Sequence, residues 1–292
     1  MKPIFEWNDM RLVSFPRYAP EFADTAHRYY ASHFASVLGV LREAGCRIAF
    51  FEPTLSHQSS RTHFHLECGR ASLLFDISDY HDTSVGAEIA QSDAVFKFHY
   101  SRALHSCYPK IFAFSPVSFH NWSEYRGLVR EIEYRAKGLV LCNQTPHTQN
   151  AARRRYVRSL LRETYGPQFD GTLTTQIEFW RKIEHALISV CVPGARLDIL
   201  DRGQLQYMAF GACTVSPRLS IDLPNSEPLI PDFHYLECRS DWQDLVEKIE
   251  WARTHAQQCV EIGLNAKALF ARALTPEALF QWVTDSVVGL KS

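Results

Sequence analysis

An α/β fold in two units is expected of this chain, on three grounds. Short apolar runs of strand length recur along it, helix-like patterns stand between them, and the alternation restarts near the middle of its 292 residues. Strands covered by helices on both faces read as such unbroken apolar runs. Length points the same way, since a domain commonly holds roughly 100–200 residues.

The first helix is expected over residues 21–44, where Phe22, Ala26, Tyr29, Tyr30, Phe34, Val37, Leu38 and Leu41 recur at three- and four-residue spacing and Gly45 offers a stop. CRIAFFEP then reads as a strand closed by proline, and ASLLFDISDY, DAVFKFHYS and KIFAFSP as three more. Within DAVFKFHYS, alternation puts Val95, Lys97 and His99 on one face. A break falls at 116–137. Beyond it KGLVLCNQ is a strand, NAARRRYVRSLLRETYG a basic helix stopped by Gly166, and TQIEFWRKIEHALISVCVPG a helix running into a strand. LDRGQLQYMAFG follows as a helix, ACTVSP as a strand, and the run from Asp241 to Leu274 as amphipathic helix. The domains expected are 1–125 and 126–292. Their cleft should lie where strand carboxyl ends and helix amino termini face one another.

Composition narrows the class. Hydrophobic residues make up 46% and charged residues 22%, enough for a sizeable core. With 31 Lys+Arg against 32 Asp+Glu there is no global field to hold nucleic acid or an acidic membrane. The eight cysteines form no CxxC pair and sit mostly in apolar runs, as buried free thiols do in a reducing cytoplasm. MKPIFEWNDMRLVSF lacks the apolar centre of a signal peptide, and no 18-residue apolar run occurs, so no membrane span and a cytoplasmic location are expected.

One stretch carries a family likeness. PGARLDILDRGQLQYMAFGACTVSP places a charged loop before a helix ending in MAFG and a small-residue strand; LIPDFHYLEC and the helix DWQDLVEKIEWA follow. This order, over roughly 138–272, resembles the carboxyl-terminal half of GT-B glycosyltransferases, most closely the CAP10-like and group 1-like branches. The resemblance implies two Rossmann-like domains in a GT-B-type arrangement, the second holding a nucleotide-sugar donor and the first an acceptor. It implies sugar transfer with no cofactor and no metal. Gln206 stands where many members carry a donor-binding glutamate, and a neutral amide makes no charge-assisted bond.

Such a reaction needs cations for the departing diphosphate and a base for the acceptor hydroxyl. Arg153 and Arg155 lie, with Arg154 and Arg158, in the opening turns of a helix, where backbone N–H groups favour anions; a solvated basic face is the plain alternative. Arg202 is a second donor-site candidate, with Asp198 and Asp201 to orient it, and Lys97 a third, against the alternative of an edge-strand lysine. Asp76, Asp79, His81 and Asp82 follow an apolar strand. Asp79 is the candidate base or acceptor ligand and Asp76 its support, unless Asp76 only anchors the loop. Trp7, Tyr18 and His27 are candidate acceptor contacts. His63, His65 and Glu67 share a strand face at zinc-compatible spacing but lack a matching partner group. Two other functions fit: a catalytically silent nucleotide or glycan binder, suggested by Gln206, and a sugar transferase acting on nucleic acid, suggested by the arginines from Arg153 to Arg162.

Overall fold

In the computed structural model, which describes residues 9–16, 37, 39, 41, 47–50, 58–59, 63–68, 71–78, 86–115, 122–146, 150–194, 196 and 198–290, the apolar runs form strands and most of the periodic segments helices. Of the expected first helix, residues 37, 39 and 41 are described; they are helical, with Val37 and Leu41 buried. The chain divides into two units. Unit 1 is Met1–Ser123 with Asp222–Glu227 and Ala273–Ser292; unit 2 is Glu124–Ile221 with Pro228–Arg272.

Unit 1 contains β1 (Asp9–Pro16), β2 (Arg47–Phe50), β3 (Gln58–Ser59), β4 (His63–Cys68), β5 (Ala71–Asp76), α1 (Gly86–Gln91), β6 (Ala94–Lys97), α2 (Arg102–His105) and β7 (Ile111–Ala113). The strands lie in the order β2-β1-β4-β5-β6-β7, with β3 beside β1. β5, β6 and β7 run parallel, while β4 is antiparallel to both β1 and β5. The antiparallel half departs from a Rossmann-like sheet for a simple reason. Only Gly69 and Arg70 separate β4 from β5, and a parallel pair needs a crossover of roughly a dozen residues or more.

Every side chain of β6 is buried, as expected of an inner strand with neighbours on both edges. The strand ends at Lys97. His99 has φ 54, so the alternation expected to carry Lys97 and His99 along one face stops short.

Unit 2 contains α3 (Trp122–Glu131), β8 (Leu139–Leu141), α4 (Ala151–Tyr165), β9 (Phe169–Asp170), α5 (Gln176–Lys182), β10 (Ala186–Val190), α6 (Arg202–Phe210), β11 (Thr214–Pro217), β12 (Leu236–Cys238), α7 (Leu245–Thr254) and α8 (Ala256–Ala273). Its five strands are all parallel in the order β12-β11-β10-β8-β9. Numbered by appearance within the unit, that order is 2-1-3-4-5 read from β9, a doubly wound sheet whose direction of winding reverses between β8 and β10.

Local chemistry sets the helix ends. Thr175 and Glu178 close a capping box on α5, and Asp201 caps α6 by accepting from Gly203 N. Gly211 ends α6 in the left-handed conformation at φ 75. Every residue of α6 from Gln204 to Phe210 is buried, so this short helix is covered on all sides. The last helix, α9 (Pro276–Gly289), was expected with the second unit but groups with the first, where Trp282 Nε1 donates to Ala113 O at 2.7 Å.

Among the described residues, no helix is long and apolar enough to cross a membrane.

Candidate functional site

In a doubly wound sheet, ligands are held outside the carboxyl ends of the strands where the winding reverses. In unit 2 that place is bounded by the loop after β8, the first turn of α4, the loop after β10 and the amino end of α6. Two adjacent arginines of α4 cross it. Arg153 Nη1 reaches Gly194 O, beyond β10, at 3.3 Å. Arg154 donates to Thr145 O after β8 (2.6 Å), to Val192 O after β10 (3.0 and 3.2 Å) and to Asp201 Oδ2 at the cap of α6 (2.8 Å).

Gln144 completes the brace. Its Nε2 donates to Asp201 Oδ1 and its Oε1 accepts from Val192 N, both at 2.5 Å. Asp201 also accepts from Gly203 N at 2.8 Å. Arg154 and Asp201 are only 6% and 15% exposed, so the pair is shielded, and each partner makes further hydrogen bonds that hold its geometry. Arg158, one turn on, is spent on the carbonyls of Cys142, Gln144 and Gly171.

Arg153 is different. It is half-buried, and burial, followed by the neighbouring Arg154 charge, pushes its guanidinium below the ordinary range. An anion placed against it would relieve the repulsion between the two guanidiniums. Arg202 opens α6 half-buried, at the positive end of that helix, where Asp201 already caps Gly203 N. The thiols nearby are poor nucleophiles, since burial pushes Cys142 up to about 11 and Cys191 well above its usual value.

The other expected donor contacts lie elsewhere. Arg155 is exposed; a helix turns about 100° per residue, so it cannot reach the carbonyls that Arg154 holds. It takes the solvated-face alternative. Asp198 pairs with Arg196 (3.0 Å) and Asp201 with Arg154 (2.8 Å). Gln206 is 8% exposed, and its Oε1 accepts from Trp180 Nε1 at 3.2 Å, beneath a ring that packs on Phe210 and Tyr125. That oxygen is engaged in core packing.

In unit 1, Lys97 and Asp76 meet each other. Lys97 Nζ lies 3.2 Å from Asp76 Oδ2 and 2.8 Å from Ser78 Oγ, His63 Nε2 lies 3.4 Å from Asp76 Oδ2, and Ser78 N donates to Asp76 Oδ1 at 2.9 Å. Lys97 and Asp76 are both 0% exposed. Lys97 is therefore neither an edge-strand lysine nor open to a phosphate. Burial alone would raise the Asp76 carboxyl, but hydrogen bonding from His63, the Lys97 charge and the Ser78 contact outweigh it and hold it at about 2. Asp76 thus anchors the strand end, its plain alternative.

His65 faces Ser92 Oγ at 3.4 Å, and among the described residues no group of three His, Cys, Asp or Glu is placed to hold a metal ion. Trp7, Tyr18, His27, Asp79, His81 and Asp82 lie outside the described residues.

Two of the bracing residues carried different weight in the sequence. Arg154 stands on the stripe Arg154, Val157, Leu161 and Tyr165, whose helical spacing marks it as the inward arginine of its run. Gln144 has no such signal beyond its place after a strand.

No family model matches the chain. It is similar to "Uncharacterized protein 179R" of Invertebrate iridescent virus 6, with 31% identity over 93 residues. That likeness covers 29% of this chain and 8% of the viral protein, so the chain spans a small part of its relative's length.

Proposed function

We propose that the chain is a glycosyltransferase with its two units in a GT-B-type arrangement, and that unit 2 holds the diphosphate of a nucleotide-sugar donor at the reversal point of its sheet. The observation that carries this reading is the pair of arginines at the start of α4. One is locked into the loops and the other is left half-buried beside it, with Arg202 at the opening of α6. Charge-assisted bonds from such groups compensate a departing diphosphate. The order of motifs from Arg202 through PDFHYLEC to DWQDL supports the same class. Asp79, which follows Ser78 in the chain, is the proposed base, and a reducing cytoplasm suits the six free cysteines among the described residues.

A thermal-shift panel of nucleoside diphosphates and nucleotide sugars tests this directly. A ligand at 100 times its dissociation constant stabilises by about 2.7 kcal/mol. One base should stand out, and a panel with no responder would reject the reading.

A second reading, a nucleotide binder without transfer, is favoured by Gln206, whose oxygen is engaged by Trp180. Release of nucleotide from the responding sugar donor separates the two: the transferase hydrolyses donor slowly in water, the silent binder never.

A further inference from the structure

The opposite, amino edge of the unit 1 sheet carries a cavity of about 350 Å³ where β6 and β7 begin. Its walls include Ile89 of α1, Tyr108 on the way into β7, and Val287 and Leu290 at the end of α9. Asp93 and Lys110, one residue ahead of β6 and of β7, bring it one negative and one positive charge. Both are pinned by backbone. Lys110 Nζ donates to Ser92 O at 2.9 Å and to Ala90 O at 3.3 Å, carbonyls at the end of α1, and keeps a third hydrogen. Asp93 Oδ2 accepts from Ser72 N at 2.7 Å, which leaves Oδ1. Among the described residues neither charge is in an ion pair, although the two line the same cavity. Tyr108 and Leu290 are 52% and 38% exposed, so solvent reaches the rim.

We propose that this cavity binds a free α-amino acid with an apolar side chain. Its carboxylate meets the Lys110 ammonium, its ammonium meets the Asp93 carboxylate, and its side chain lies against Ile89, Tyr108, Val287 and Leu290. Three features select that class. The volume falls at the small end of the roughly 300–1,000 Å³ of ligand sites, which suits a molecule of few atoms. The walls are mainly apolar, with few polar groups to fix orientation, the usual make-up of such a site. The two charges are complementary to a zwitterion, whereas a plain carboxylate would leave Asp93 facing a like charge and a plain amine would do the same to Lys110. Because backbone already holds both side chains, little ordering is left to oppose binding. Every lining residue belongs to unit 1 and the proposed donor residues Arg153 and Arg202 to unit 2, so either reading can fail alone.

Calorimetric titration of the full chain with L-leucine and L-phenylalanine tests it, with glycine, N-acetyl-leucine and leucine amide as controls. Saturable binding of leucine or phenylalanine is expected, with none for glycine, which lacks the side chain. The acetylated and amidated forms keep the side chain and one charge each, and both should bind at least about tenfold more weakly. Lys110→Gln, which retains a donor for the α1 carbonyls, and Asp93→Asn should each weaken binding roughly tenfold. Leu290→Trp, at the exposed rim, should abolish it by filling the cavity. If a variant does not fold, the selectivity of the parent among the five compounds decides. No saturable binding of leucine or phenylalanine at millimolar concentration would overturn the proposal. So would equal binding of the blocked forms, or binding that survives unchanged in all three variants.

Discussion

At the carboxyl edge of the unit 1 sheet, Lys97 and Asp76 close on each other, with His63 and Ser78, inside the layer of strands; none of the four is more than 5% exposed. At the carboxyl edge of the unit 2 sheet, the arginines come from a helix and bind loop carbonyls on both sides of a strand gap, and one of them stays half-buried. Both edges concentrate charge, but the first is neutralised within itself and supports the fold, whereas in the second, among the described residues, no carboxylate is paired with Arg153. Burial of a charge therefore does not mark a binding site. What marks it is a cation held in place by neighbours that do not cancel it.

The contrast breaks most visibly at Lys97. Lys97→Met leaves the Asp76 carboxylate buried without its cation and should destabilise by about 3–5 kcal/mol in denaturant titration, with the nucleotide affinity of the folded fraction unchanged. A neutral effect on stability combined with lost affinity would put the ligand in unit 1. Arg154→Lys comes next. A lysine cannot span Thr145 O, Val192 O and Asp201 together, so about 2–3 kcal/mol of stability should go, and nucleotide binding with it.

The acid limb of stability sharpens the comparison. The Asp76 carboxyl lies at about 2 in the folded protein, below the ~3.9 of an unfolded aspartate, so its contribution is complete above pH 3.9 and is lost as pH falls through 2. That contribution is about 2–3 kcal/mol. Unfolding free energy measured from pH 5 downward should fall more steeply in the parent than in Asp76→Asn, and equal slopes would sever the link to this carboxyl.

Arg153→Ala has the smallest structural effect. It removes one 3.3 Å bond to Gly194 O, so stability should stay within about 0.5 kcal/mol while nucleoside diphosphate affinity drops roughly 10- to 100-fold. Unchanged affinity in calorimetry would remove Arg153 from the site.

How much of this was legible before the structure varies with the range of the contact. The parallel sheet of unit 2 could be read because each apolar run was followed by a helix pattern, from KGLVLCNQ and its arginine helix to ACTVSP. The phase of the arginine helix was readable too, from the spacing of Val157, Leu161 and Tyr165, yet the candidates chosen there were Arg153 and Arg155, on either side of the buried one. Lys97 and Asp76 illustrate the limit. They are 21 residues apart in sequence and meet only because β5 and β6 pair in register, Asp76 opposite Lys97, which no local pattern specifies. Gln206 and Trp180 are likewise brought together by α6 docking on the end of α5. The hairpin of β4 and β5 went unread because THFHLEC invited a metal-ligand spacing argument, when its two-residue link to β5 was the stronger constraint.

Hydrogen exchange at backbone amides, with and without the nucleoside diphosphate that responds best, tests the central claim most directly. Added protection is expected at 142–146 and 192–203, around the reversal point of the unit 2 sheet, with residues 76–78 and 97–99 unaltered. Protection confined to 76–78 and 97–99, with 142–146 and 192–203 exchanging as in the free protein, would contradict it.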